Sequence, residues 1–170
     1  MLTSHQNHLA PASLSACRFD AVKPDLETTL SALDTNIHAS CIAVDGKGLL
    51  ILGDSGSGKS SLALALMAFG AELVSDDRVL LSLEDEKIKA QAPTAISGMI
   101  EARGVGILNS SYLPHVYINV VVNMQKTERM RLPEKKSFDI LGVSIPCYHR
   151  SDNPSFPAAI LQLLKSGRHS

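Results

Sequence analysis

The octet Gly53-Asp54-Ser55-Gly56-Ser57-Gly58-Lys59-Ser60 carries the spacing G-x-x-x-x-G-K-[ST] of a loop that wraps nucleotide phosphates. Its glycines let successive backbone N–H groups turn inward toward phosphate oxygens, and a helix that follows adds the positive end of its dipole. Lys59 is placed to meet the β- and γ-phosphates. The Ser60 hydroxyl is placed to occupy one position on Mg2+, an ion that takes few protein oxygens and keeps water and phosphate as its other ligands. Downstream, Asp76-Asp77 closes the apolar run Glu72–Ser75. Adjacent side chains diverge at a strand end, so one carboxylate can face a reacting group while its neighbour serves structure or metal.

The elements that must position these groups are legible. Leu49–Leu52 is a short apolar run suited to a buried strand, and Leu62–Phe69 reads as a helix stopped by Gly70. Cys41–Val44 and Leu49–Leu52 flank Asp45-Gly46-Lys47-Gly48, which predicts a hairpin leading into the loop. Glu72–Ser75 predicts a strand, and Val79–Leu83 with Ile88–Ala92 a second hairpin about Glu84–Lys87. Val116–Val122, the most apolar and β-branched segment, predicts a central strand. A last helix is expected from about Pro157 through Leu164. Hairpins mixed with a phosphate-loop helix predict an α/β fold with a mixed sheet.

Composition narrows the function classes. With 170 residues, 45% hydrophobic and 19% charged, the chain suits one globular domain. A net charge of −1 argues against a nucleic-acid or anionic-membrane binder, leaving proteins and small molecules as partners. Cys17, Cys41 and Cys147 are odd in number and far apart, which predicts neither disulfides nor zinc and fits a reducing cytoplasm. No leader pattern or membrane-length apolar run is present. Residues 1–35 are polar and Pro-containing, with the first dozen expected to be loose and Leu26, Leu30 and Leu33 suited to a turn or two of amphipathic helix. The catalytic unit is then residues 36–170.

Two segments together carry a resemblance. The loop through Leu64, followed by Gly70, Leu73-Val74 and Asp76-Asp77, is similar to the nucleotide-binding core of the bacterial HPr kinase/phosphorylase family. Ile100–Asn109, containing Glu101-Ala102-Arg103-Gly104-Val105-Gly106, resembles that family's second signature. The resemblance spans about His38 to Pro146 and is to the short, catalytic-domain-only members of some proteobacteria. It implies a single P-loop domain similar to phosphoenolpyruvate carboxykinases, and a cytoplasmic, commonly hexameric enzyme of the phosphotransferase system and carbon catabolite regulation. The implied activity uses ATP and Mg2+ to phosphorylate a serine of the phosphocarrier protein HPr, with reversal by inorganic phosphate.

Residue by residue, the family pattern makes Asp77 the base, Glu101 the second acidic group on the Mg2+ side with Ser60, and His38 a functional histidine near phosphate or Asp77. Arg103 has carboxylate or phosphate as its partner. An arginine that offsets transition-state charge falls in Glu128–Pro133, at Arg131 in preference to Arg129. The chain departs from the family after Pro146: a Pro-Val-Arg-Pro-Gly-Arg-Asn-like loop linked to phosphorolysis is replaced by Cys147–Pro154, so the forward reaction is the better supported. A small-molecule kinase or NTPase, and a non-catalytic nucleotide-dependent regulator, use the same loop and stay open.

Overall fold

The computed structural model describes Thr29, Leu30 and residues 36–169. Expectations for the first dozen residues, and for Leu26 and Leu33, fall outside them. Leu30 does not join a helical turn: Thr29–Leu30 form a short strand, β1.

After β2 (Asn36–Ile37), strands β3 (Ala39–Val44) and β4 (Lys47–Leu52) form the predicted hairpin, with Val44 opposite Lys47. Its turn is only Asp45-Gly46, both at positive φ, because an Asp-Gly pair in this conformation matches the twist of the flanking strands. Helix α1 (Lys59–Ala68) follows the glycine loop, and β5 (Glu72–Ser75) returns beside β3. Strands β6 (Val79–Glu84) and β7 (Lys87–Gln91) make the second hairpin, about Asp85-Glu86. The acidic-x-Arg-Gly segment is itself a small separate hairpin, β8 (Met99–Ala102) and β9 (Gly106–Asn109).

The apolar run predicted as a central strand extends to β10 (Val116–Thr127), lying between β4 and β12. A fourth hairpin, β11 (Lys136–Ile140) and β12 (Val143–Arg150), is followed by a helix, α2 (Phe156–Ser166). The ten-stranded sheet runs β1-β11-β12-β10-β4-β3-β5, with β7 also on β10, β6 on β7 and β2 on β6. It is mixed, as expected.

Two cores cover the two faces. Alternation in β3 sends Cys41 and Ala43 to one side and Ile42 and Val44 to the other. On the first side they meet Val79, Leu81 and Ile88 of the β6–β7 hairpin. On the second they meet Leu62 and Leu66 of α1 and Ile160 and Leu164 of α2. Each fully buried Leu or Ile contributes about 1.5–3 kcal/mol, so Leu66 and Leu62 fix how α1 lies on the sheet.

Strand direction assembles the site. β10 is parallel to β4 and to β12, and β5 is antiparallel to β3, which is antiparallel to β4. The carboxyl ends of β4, β5, β10 and β12 therefore leave the sheet along one edge, where ligands of open α/β sheets bind. That edge carries the glycine loop, Asp76-Asp77, the segment 128–135 and the turn 151–155. His38, just before β3, reaches the same edge because Ala39 pairs with Leu52. Among the described residues no helix is long and apolar enough to cross a membrane.

Candidate active site

The loop conformation depends on two glycines. Gly58 caps α1 with φ 95°, a left-handed geometry that favours glycine. Gly53 has φ 151°, and a Cβ there would stand 2.5 Å from Ser57 Oγ and 3.0 Å from Met124 Cβ. No side chain caps α1, so its first backbone N–H groups remain for a ligand. Ser57 Oγ is buried in the same loop without a hydrogen-bond partner. Open N–H donors and an orphan hydroxyl fit phosphate oxygens.

Lys59 is 5% exposed and its ammonium is fully bonded, donating to the Gly53 and Asp54 carbonyls and to His38 Nε2, each at 2.9 Å. An ammonium only donates, so Nε2 accepts and the other imidazole nitrogen carries the proton. That Nδ1–H lies 2.9 Å from the Asp77 carbonyl and 3.0 Å from Asp77 Oδ1. His38 thus couples Lys59 to Asp77. Burial lowers the Lys59 pKa, and Asp76, Asp77 and Asp54 oppose that shift.

Asp76 and Asp77 diverge as the strand-end argument required. Asp77 is turned by φ 69°, a conformation Asp tolerates, and its side chain is 68% exposed. Asp76 is buried; its Oδ1 accepts from Ser60 Oγ at 2.9 Å and from Ser40 Oγ, and its Oδ2 accepts from the Glu101 N–H at 3.1 Å. Sequence reasoning did not single out Ser40. The available signal was one hydroxyl in the otherwise apolar Ala39–Val44 strand. Through Asp76, the β8–β9 hairpin is tied to the phosphate loop.

These groups share a cleft of about 200 Å³, into which His38, Lys59, Ser60, Asp76, Asp77, Glu101 and Arg103 project together with backbone of the loop. The Arg103 guanidinium lies 3.7 Å from where a Gly56 Cβ would be, so it reaches across the loop. The oxygen donors of the cleft suit Mg2+: the Ser60 hydroxyl bonds Asp76, and Glu101 lines the same cleft, few protein oxygens for an ion that otherwise keeps phosphate and water. Ser60 and Glu101 would hold it.

Arg131 is not brought into this cleft. It lines a separate groove between the 128–135 segment, β12 and α2, although on the same edge of the sheet. Glu128 folds that segment back, accepting from Lys136 at 2.8 Å and from the Arg129 and Met130 N–H groups at 3.0 Å. The divergent stretch beginning at Cys147 is strand through Arg150, and Arg150 pairs with Asp152 at 2.8 Å.

A larger groove, about 650 Å³, opens from the cleft along the β8–β9 hairpin. It shares Asp76, Asp77, Glu101 and Arg103 with the cleft and has apolar walls at Ile96, Met99, Val105 and Ile107. Val105 and Ile107 are 77% and 74% exposed.

Comparison with known proteins places this geometry. The family model described as HPr Serine kinase C-terminal domain matches residues 29–149, a span that contains every predicted site residue. The HPr kinase/phosphorylase of Mycoplasmopsis pulmonis is 38% identical over 124 residues, 69% of this chain and 39% of the relative. That of Geobacillus thermodenitrificans is 37% identical over 135 residues, 71% of this chain and 43% of the relative. The chain thus spans about two fifths of the length of these relatives. Among solved structures, the Hpr(Ser) kinase/phosphatase of Coxiella burnetii superposes with a TM-score of 0.65 at 24% identity, covering 76% of this chain and 93% of that one, a likeness of fold. The phosphate loop, the Asp76-Asp77 strand end and the Glu101–Gly106 hairpin thus occur within one matched span, and the chain belongs to the HPr serine kinase family through its C-terminal domain.

Proposed function

We propose that residues 36–170 form the catalytic domain of an ATP- and Mg2+-dependent protein-serine kinase that phosphorylates the phosphocarrier protein HPr. The observation that carries this reading is the chain Asp77–His38–Lys59: an exposed carboxylate is oriented beside the phosphate-loop lysine, at the mouth of an open, apolar-walled groove. A groove of that kind suits a protein acceptor better than a small one.

Phosphoryl transfer needs positioning, charge neutralisation and a place for one proton. Backbone N–H groups of the loop and of the α1 N-terminus hold the phosphates, and Lys59 exchanges carbonyl partners for phosphate oxygens. Ser60 and Glu101 would hold Mg2+ with the nucleotide, and the ion would supply neutralisation of phosphate charge. Asp77 accepts the proton of the acceptor serine as its Oγ bonds to the γ-phosphorus and the bond from that phosphorus to the bridging oxygen breaks, releasing ADP. The His38 Nδ1–H keeps Asp77 aimed at the acceptor. Arg103 balances charge above the loop, while Arg131, which the family pattern would use to stabilise charge, stands outside the cleft in its separate groove. Hexameric assembly, a cytoplasmic location and a role in the phosphotransferase system belong to the same reading, whereas reversal by inorganic phosphate does not, because Cys147–Pro154 replaces the loop linked to it.

The test is ADP release from Mg2+-ATP with and without HPr. Release that depends on HPr supports the kinase; equal release in both conditions identifies an NTPase and rejects the reading.

A further inference from the structure

Ser40 is completely buried on β3, opposite Ile51 of β4. Alternation from Ala39 and Cys41, which face the β6–β7 core, turns its side chain toward the α1 side. The β3–β5 register shifts between Cys41 and Ile42, and Cys41 pairs with Ser75, so Ser40 sits next to the point where the chain leaves β5 for Asp76. It lies between the strand that feeds the phosphate loop and the strand that delivers the carboxylates.

A buried hydroxyl needs a partner, and this one donates to Asp76 Oδ1. The same oxygen receives the Ser60 hydroxyl, while Oδ2 receives the Glu101 N–H. Three elements, β3, α1 and β8, thus converge on one carboxylate. Because Ser60 gives its proton to Asp76, its lone pairs are directed away from Asp76, and the carboxylate's orientation decides where they point. A terminal carboxylate torsion is broad, so it must be held by its hydrogen bonds.

We infer that Ser40 is a positioning residue for the metal side of the cleft: its hydroxyl fixes Asp76, which in turn aims the Ser60 oxygen and anchors Glu101. This inference rests on the phosphate-cleft reading above. Ser40 touches neither nucleotide nor acceptor and acts only through Asp76.

The experiment is a titration of the full chain with a fluorophore-labelled ATP, without any acceptor, in EDTA and across a Mg2+ series. Ser40→Ala is expected to keep metal-free nucleotide affinity within about twofold while raising the half-maximal Mg2+ concentration roughly tenfold, the scale on which outer partners of metal ligands act. Ser40→Thr, which retains the hydroxyl, is expected to restore the wild-type Mg2+ requirement. The half-maximal Mg2+ concentration is read from the folded, binding fraction, so partial misfolding does not imitate the effect. A wild-type Mg2+ requirement in Ser40→Ala, or equal shifts in the Ala and Thr variants, overturns the inference and leaves the kinase reading standing. Wild-type protein that binds no nucleotide with or without Mg2+ overturns both.

Discussion

Asp77→Asn removes a proton acceptor and almost nothing else. The left-handed backbone at φ 69° accepts Asn as readily as Asp, and the amide oxygen can still receive the His38 Nδ1–H now 3.0 Å from Oδ1. The side chain is 68% exposed, so the change in folding stability stays within about 0.5 kcal/mol. Lys59 keeps its bonds to His38 and the two loop carbonyls. Nucleotide affinity is therefore expected to hold while transfer to HPr falls by about 10²- to 10⁴-fold, a rise of about 3–5 kcal/mol in the barrier. Labelled-ATP titration and a transfer time course on the same preparation separate the two quantities. Transfer within about tenfold of wild type would refute Asp77 as the base. Loss of nucleotide binding at intact stability would refute the claim that its role is confined to the proton.

Lys59→Ala deletes three charge-assisted hydrogen bonds and the cation under the phosphates, so nucleotide affinity should fall by roughly tenfold to a hundredfold in the same titration. Gly53→Ala forces a Cβ against Ser57 and Met124 at φ 151°, and a thermal melt should show a loss of about 2–5 kcal/mol from backbone strain and overpacking combined. Glu128 is held down to about 2 by the Lys136 hydrogen bond and then by the Met130 N–H, so its contribution to stability is present above the ordinary carboxylate range and disappears as pH falls from about 4.5 toward 2. Glu128→Gln should accordingly flatten melting temperature against pH across that window, and an unchanged slope would contradict the pairing. Cys41 and Cys147 are buried, with the Cys147 thiol pushed up to about 11 by burial and that of Cys41 pushed up further by the same cause. Iodoacetamide at pH 8 should label neither until the chain is denatured, as read by peptide mass mapping.

Much of the site is local in sequence and for that reason readable. The glycine loop works through backbone that its own residues shape, and the flanking runs have unambiguous periods: Leu49–Leu52 is fully buried strand, and α1 begins at Lys59. The divergence of Asp76 and Asp77 was legible, because side chains alternate at a strand end, and one carboxylate is buried and the other exposed. What stayed hidden depends on pairing between distant segments. The β11–β12 hairpin escaped because Pro146 interrupts the alternation of Phe138, Ile140, Val143, Ile145 and Cys147, a proline that ordinarily demotes a strand. It is tolerated here because pairing with β10 begins only at Cys147, one residue later. The Leu141-Gly142 turn gave no Asn-Gly or Asp-Gly signal, yet both residues adopt positive φ. Ser40 was invisible for the same reason: its function as a donor to Asp76 exists only once β3 and β5 are side by side. Arg131 shows the converse limit, since a residue's place in a motif fixes the edge of the sheet it occupies but not the groove it enters.

Transfer of one phosphoryl group from ATP to a serine of HPr is read by intact-mass analysis of HPr incubated with this protein, Mg2+ and ATP, with peptide mapping to locate the group. One added phosphoryl group on serine, absent with the Asp77→Asn variant, is the predicted result. Unmodified HPr alongside demonstrated Mg2+-nucleotide binding would contradict it.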